Sequence, residues 1–402
     1  MTIRIAERLN DVGGSPSQNL IVKVRALRAR GVDVADFGPQ GPTPRVALEA
    51  AAEAMALPAS AFYSDPRGTI GLRRAIAAKL VEDNGIAADP DTEIVVTVGA
   101  KEALLSTLLA LVGPGDEVIL EDPGYLGFEP LIRLAGATPV PVALSAEKGF
   151  RLPLERIRAA VTGRTRILLL CNPHNPTGRV LNRAELEGVA ALAAEHDLAV
   201  IMDEAYEHFV FDGRRHESLA AIPGMHERTV TVQTISKVYN MAGWRVGWLV
   251  APDWLACRIL DVHTHAVTCP AVVMQAGAEA VIRERVGEGD LPFTSIVENY
   301  TLQRDAMVDG LSAIPGVRCV RSEGGYFVFP DFSAFGMNSS SMSAYLLDTA
   351  HVAATPGSAF GAAGEGFLRL VIKAKPNEIR RGVARIADAL AALRHEPAAP
   401  KL

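Results

Sequence analysis

Long apolar runs are missing from this chain. No stretch of the 402 residues approaches the roughly 20 consecutive apolar positions that a membrane-crossing helix requires. The opening residues, MTIRIAERLND, are charged from Arg4 onward and lack the apolar centre of a secretory signal, so none is expected. A basic excess is missing too: 40 Lys and Arg stand against 46 Asp and Glu, a net charge of −6, which argues against a general nucleic-acid binder. Cysteine is scarce. Cys171, Cys257, Cys269 and Cys319 are scattered without a C-x-x-C spacing, which argues against a zinc or disulfide framework. Buried or free thiols in a reducing compartment, the cytoplasm, are expected instead. Internal repeats and low-complexity tracts are absent. With 49% hydrophobic and 21% charged residues, what remains is a globular chain with a large core, folded as two domains or one large one.

What is present is an alternation. Apolar strand-like runs at Ile94–Thr97, Glu117–Leu120, Thr138–Val142, Arg166–Leu170, Leu198–Met202, Thr229–Gln233 and Val246–Val250 alternate with helical stretches, among them Ala100–Val112, Tyr125–Ala135, Leu154–Ala160 and Arg183–His196. Strands alternating with helices predict right-handed crossovers and a mainly parallel sheet. Strands apolar on both faces predict helices on both sides of it. Before this block come a helix ended by Gly31, a short strand Val32–Phe37, a turn-rich loop Gly38–Pro44, and helices over Arg45–Met55 and Leu72–Asn84. After Pro270 the pattern changes to a long helix Phe293–Leu311, strands Val317–Ser322, Tyr326–Phe329 and Phe367–Ile372, and a closing helix Asn377–Arg394, with a frayed tail EPAAPKL. The expected architecture is α/β. A large domain spans 46–285, and a smaller α+β domain is built from 1–45 together with 286–402.

Ligands in such sheets bind outside the C-terminal ends of the strands. Polar groups follow these ends one after another: Gly99-Ala100-Lys101, Glu121-Asp-Pro-Gly-Tyr125, Asn172-Pro-His-Asn175-Pro-Thr-Gly178, Asp203-Glu-Ala-Tyr206 and Thr234-Ile-Ser236-Lys237. Lys237 lies between two strands, near hydroxyls and Arg245. An amine so placed suits a Schiff base with an aldehyde whose phosphate the neighbours grip.

The stretches FYSDPRGTIGLR, TVGAKEAL, NPHNPTG, DEAYE, SK-x7-R-x-G, PGSAFG and FLRL, spread over roughly residues 15–390, together resemble the fold type I pyridoxal-phosphate enzymes. Within these the chain is similar to the class I/II aminotransferases of the aspartate aminotransferase kind. The resemblance implies a seven-stranded sheet and pyridoxal 5′-phosphate as cofactor, bound through Lys237. Asp203 would pair with the ring nitrogen and make the ring an electron sink; its plainer role is a helix N-cap. Tyr206 and Asn175 would contact the ring 3′-oxygen, and Asn175 also suits a turn, with a cis bond to Pro176 expected. Gly99, Ala100 and Lys101 open a helix where a phosphate fits, joined by Thr234, Ser236 and Arg245; by itself that motif is equally an ordinary strand-to-helix turn. Tyr125 would stack on the ring, or be a core tyrosine. Tyr63 would reach the phosphate of a neighbouring subunit, or be a buried loop aromatic. Arg369 would grip the substrate α-carboxylate, with Gly38 adding a backbone N–H and Asn175 nearby.

The resemblance implies amino acid and 2-oxo acid substrates, a ping-pong mechanism and a homodimer with shared sites, with no nucleic acid, membrane or metal partner. Two other readings stand beside it: a β-lyase or biosynthetic lyase or cyclase on the same fold, and a non-catalytic regulatory module that keeps the cofactor. His263 and His265 have H-x-H spacing but no third ligand, so they are expected to be core or surface polar residues. His174 is expected near the cofactor surroundings. The arginines of RALRAR and RRGVARIA are expected on solvated helix faces. Arg25, Arg45 and Arg67 are candidate readers of the substrate side chain, or solvated charges.

Overall fold

The computed structural model describes residues 3–10, 12–14, 16–38, 41–286 and 293–395. The expected tail, EPAAPKL, lies outside these, as do Pro39 and Gln40 of the turn-rich loop. The strands are β1 (Ile94–Thr97), β2 (Glu117–Asp122), β3 (Thr138–Ala143), β4 (Thr165–Cys171), β5 (Ala199–Asp203), β6 (Thr229–Thr234) and β7 (Gly247–Val250), forming one seven-stranded sheet in the order β1-β7-β6-β5-β4-β2-β3. β7 runs antiparallel to both of its neighbours, β1 and β6, while the other pairings are parallel. A second sheet has the order β8-β10-β9, from β8 (Phe327–Val328), β9 (Thr355–Pro356) and β10 (Leu368–Val371).

The helices are α1 (Pro16–Ala29), α2 (Arg45–Ala56), α3 (Ile70–Lys79), α4 (Ala100–Leu111), α5 (Phe128–Leu134), α6 (Leu154–Ala160), α7 (Arg183–Glu195), α8 (Asp253–Ala266), α9 (Val272–Val286), α10 (Phe293–Ser312), α11 (Ser339–Tyr345) and α12 (Pro376–His395). Among the described residues no helix is long and apolar enough to cross a membrane.

The unbroken apolar run of β4 has a direct explanation. Side chains alternate across a strand, and here both faces are buried. Ile167, Leu169 and Cys171 enter one core with Ile201, Val230 and Val232, while Leu168 and Leu170 enter another with Val200, Met202 and α7 residues Leu186 and Val189. α7 starts with a capping box: Asn182 Oδ1 accepts from Glu185 N at 3.0 Å, and Asn182 N donates to Glu185 Oε2 at 3.0 Å. A third core joins α10, α12 and the small sheet through Met307, Leu311, Leu370, Ile379 and Ile386.

Four expectations need correction. Val32–Phe37 is not a strand; only Ala35 bridges, to Val352, because Phe37 turns the chain with a φ of 53°. Val317–Ser322 likewise keeps a single bridge, Arg318 to Asp331. Three helices, α8, α9 and α11, are not among the expected elements; α11 is capped by Asn338, whose Oδ1 accepts from Ser341 N at 2.8 Å. The arginines read as solvated are partly anchors: Arg385 Nε donates to Ala350 O at 2.6 Å, and Arg28 Nη1 pairs with Asp36 at 3.1 Å.

Candidate active site

One edge of the large sheet collects the polar groups. Asp203 is the last residue of β5, Lys237 lies three residues beyond β6, and Asn175 lies in the loop after β4, where the Asn172–Pro173 and Asn175–Pro176 bonds are both cis. Arg245 precedes β7. Because β7 runs against its neighbours, its start lies where their ends lie. Gly247 permits this close approach, since a Cβ there would come within 2.6 Å of Ala100 N and 2.8 Å of Gln233 O. These groups, with Tyr206, Tyr125, Ala100, Lys101, Thr234 and Ser236, line one cavity of about 350 Å³. α1 contributes Gln18 to its wall.

Asp203 is buried, and burial pushes its carboxyl up to about 6 against the pull of the Ala205 N–H, which donates to Oδ1 at 3.1 Å, and of the Lys237 charge. Such a carboxylate is costly without a cation beside it. Lys237 is held above the usual lysine range chiefly by Tyr326, which also hydrogen-bonds to it, and its Nζ lies 5.4 Å from the Tyr206 ring centroid. Asn175 Nδ2 donates to Tyr206 OH at 3.4 Å.

The phosphate-sized end of the cavity is formed by α4. The first N–H groups of a helix, here those of Ala100 and Lys101, have no carbonyl one turn back, and the helix dipole adds positive potential. Gly99 adopts a φ of +75°, and a Cβ there would meet Arg245 Nη2 at 2.4 Å. Arg245 is thus packed onto the helix start, with Nη2 donating to Val98 O at 3.2 Å. Thr234 Oγ1 donates to Val246 O at 2.8 Å and accepts from Ser236 N at 3.1 Å, which fixes the turn that carries Ser236 and Lys237.

Arg369, on β10, reaches the same edge from the small sheet. Its Nη1 donates to Asn175 Oδ1 at 3.1 Å, its guanidinium lies 4.8 Å from the Phe360 ring centroid, and its buried Nε has no partner among the described residues. It lines an adjoining cavity of about 420 Å³ with Gly38, Tyr326 and Lys373.

The family model described as "Aminotransferase class I and II" matches residues 32–386. An aspartate aminotransferase of Musicola paradisiaca is 38% identical over 391 residues, covering 96% of each chain. The chain belongs to the class I and II aminotransferases. An aromatic-amino-acid aminotransferase 2 of Thermococcus litoralis is 34% identical over 390 residues, covering 96% of this chain and 98% of the relative. The solved structure of the Thermus thermophilus aspartate aminotransferase with maleate superposes with a TM-score of 0.90 at 32% identity, over 96% of this chain and all of that one. The protein is therefore a pyridoxal-phosphate-dependent aminotransferase, with the α/β fold of the fold type I enzymes.

The residues of this aminotransferase fit that cofactor. The buried Asp203 suits a cationic ring nitrogen, Lys237 offers an amine in the same cavity, and the start of α4 with Ser236 and Arg245 offers donors to a phosphate.

Other expected residues fall elsewhere. Tyr63 is 83% exposed and lies outside the cavity lining, not buried in its loop. Gly38 lines the second cavity, but its N–H donates to Asp36 Oδ1 at 3.2 Å. Arg45 pairs with Glu49 at 2.6 Å, and Arg67 donates to Thr92 O at 2.6 Å, while Arg25 lines the second cavity. His263 is a buried residue beside Glu102 at 3.1 Å, and His174 is buried 3.5 Å from Glu121, with burial lowering it to about 4. Glu204, Glu207 and His216 converge closely, but the ammonium of Lys79 lies 2.6 Å from Glu207 and fills a role a cation would take there. Sequence reasoning missed Tyr326, Lys373 and Gln18, none of which belongs to a motif. The one available signal was alternation: Arg369, Val371 and Lys373 line the same cavity at every second position.

Proposed function

We propose that the protein moves the α-amino group of an amino acid to a 2-oxo acid in two half-reactions, with the cofactor held covalently through Lys237 Nζ. What supports this most is a single juxtaposition: the amine of Lys237 and the carboxylate of Asp203 in one cavity, with the free Nε of Arg369 one hydrogen-bonded residue away, at Asn175.

When bound, the cofactor ring acts as the electron sink that stabilises negative charge at the substrate α-carbon. Asp203 holds the ring nitrogen protonated, since a buried carboxylate gains most from a cation at its side. Arg369 takes the substrate α-carboxylate and fixes how the α C–H bond faces the ring. Lys237 would hold the cofactor through its amine and, in the same cavity, would serve as the base that takes the proton from the substrate α-carbon and as the acid that gives it back. Tyr206 and Asn175 would hold the ring oxygen, and Ser236, Arg245 and the start of α4 would hold the phosphate.

In the same reading the exposed Tyr63 contributes to the phosphate site of a second copy, so that the protein works as a homodimer. The chain divides into a large domain over 46–285 and a small one from 1–45 and 286–402, and it acts in the cytoplasm.

The test is a half-reaction. Holoenzyme mixed with an amino donor and no acceptor is expected to lose its aldehyde-form absorbance and release one 2-oxo acid per site. Release of ammonia and keto acid with an unchanged cofactor would point to a lyase, and no response to acidic, basic, aromatic or aliphatic donors would overturn the reading.

A further inference from the structure

One side chain stands in the wall between the two cavities. Tyr326 lines the second with Arg369 and Lys373, and its phenol oxygen is hydrogen-bonded to Lys237 in the first. Its backbone is held on both sides: Gly325 N donates to Phe209 O at 2.9 Å, and Ile372 N donates to Tyr326 O at 2.9 Å. Its ring meets Tyr206 and Phe209 edge to face, at 5.3 Å and 5.5 Å between centroids, and lies 6.3 Å from the Tyr300 ring. The ammonium of Lys373 lies 4.6 Å from its centroid. A ring packed on so many sides keeps its hydroxyl beside Lys237.

The phenol oxygen accepts from two donors, the ammonium of Lys237 and the hydroxyl of Tyr206. Burial disfavours ionisation of Tyr206 itself, which keeps it a donor. The Tyr206 hydroxyl accepts in turn from Asn175 Nδ2 at 3.4 Å. Three cations face the phenol: Lys237 beyond β6, Arg369 on β10 and Lys373 beyond β10. Tyr300 on α10 faces it as a neutral phenol that burial pushes up. Arg25 and the Arg28–Asp36 pair, 3.1 Å apart, complete the charged lining of the second cavity. Burial alone would push the Tyr326 phenol up, but the three cations and the Tyr206 hydrogen bond outweigh it and lower it. On the other side Lys237 is raised chiefly by Tyr326, with Tyr125 and Asp203 acting on it by charge.

Lys237 has two opposed tasks. It must be a neutral amine to attack an aldehyde or to take a proton, and it is an ammonium once it has taken one. A buried ammonium is costly without an anionic partner, and Asp203 is committed to the ring nitrogen. We propose that Tyr326 is the proton partner of Lys237, pairing with its ammonium and receiving its proton when the free amine is needed. In that transfer a Lys237 N–H bond breaks, its electron pair stays on nitrogen, and an O–H bond forms at Tyr326. Ammonium and phenolate become amine and phenol, with no change in total charge. The pair is one proton short of full, that proton having left to solvent through the second cavity, whose lining includes the exposed Arg25. The role in catalysis rests on the transaminase reading; the pairing itself does not.

The first measurement follows the ultraviolet absorbance of ionised tyrosine against pH in the full chain freed of cofactor. Wild type is expected to show a phenol ionising below the ordinary tyrosine value of about 10. Tyr326→Phe should lack it, and Lys237→Met should move it upward by about one pH unit or more. Unchanged circular dichroism shows that each variant retains its fold. The second measurement is the half-reaction of the holoenzyme with an amino donor, across pH. Tyr326→Phe is expected to be slower by about 100-fold, the low end of acid–base assistance, with KM little changed. The acid limb of its pH profile should move to lower pH, because Lys237 has lost the partner that raises it. A packing role alone would leave that limb in place. The proposal is overturned if Tyr326→Phe retains the early phenol, if Lys237→Met fails to move it, or if the acid limb does not shift. A wild type inert to every donor would sink the transaminase reading, while the phenol titration would still decide the pairing.

Discussion

Arg369 Nη1 donates to Asn175 Oδ1 at 3.1 Å, joining the small sheet to the loop after β4 across 194 positions of sequence. Asn175 in turn donates to Tyr206 OH at 3.4 Å. The residue assigned to the substrate and the residues assigned to the ring are therefore one connected unit. The free Nε beside that anchored Nη1 leaves a planar fork for a carboxylate. Lysine keeps the charge but not the fork. Arg369→Lys should lower kcat/KM by about 100-fold, mostly through KM, with cofactor content unchanged. Steady-state kinetics on reconstituted enzyme checks this.

Asp203 carries a pH signature. Its folded value, about 6, lies above the unfolded value near 3.8, because burial disfavours the charge. A raised carboxyl favours the folded state while protonated, and this contribution is lost as pH rises through 4 to 6. The cofactor-free wild type should therefore lose on the order of 2 kcal/mol relative to Asp203→Asn between pH 4 and pH 7. Denaturant titrations at the two pH values measure it. In the kinetic assay Asp203→Asn should be slower by about two orders of magnitude or more, since the ring nitrogen loses its charged partner.

Gly99 is a test of the phosphate end. A methyl group at Gly99 would strain a φ of +75° and press on Arg245 Nη2 at 2.4 Å. Gly99→Ala should cost about 1–3 kcal/mol of stability through backbone strain. It should also weaken cofactor binding by about tenfold, the effect of displacing one charged donor. Cofactor titration followed by fluorescence reads the second effect separately from the first.

Lys79 predicts stability and not chemistry. Its Nζ, almost wholly buried, reaches Glu207 at 2.6 Å, Asn84 at 2.7 Å and Gln233 at 3.2 Å. Burial alone would push Glu207 up, but Lys79, His208 and His216 outweigh it and bring it down to about 2. Lys79→Met leaves that carboxylate unpaired and should cost about 3–5 kcal/mol at neutral pH. A depressed carboxylate stabilises above its unfolded value and loses this as pH falls towards its folded value. The deficit should therefore shrink between pH 4.5 and pH 2.

The large sheet was legible because β1, β4, β5 and β7 are buried on both faces, so each reads as a largely apolar run with a polar break beside it. That same break carries Asp203, Asn175 and Lys237, which is why motif and strand end coincide. The small sheet was harder. β8 and β9 are two residues long, too short for alternation to show, and Val32–Phe37 looked extended until the turn at Phe37. Tyr326 and Lys373 escaped for another reason. Each is an ordinary residue in its own segment, and each gains its meaning only when two distant segments, held by the Ile372-to-Tyr326 hydrogen bond, face one cavity.

The central claim is the covalent attachment of the cofactor to one amine. Holoenzyme reduced with borohydride, digested and mapped by mass spectrometry should carry the reduced cofactor mass on the peptide containing Lys237, at one per chain. A label on another lysine, or none on a preparation that retains the cofactor, would contradict the account.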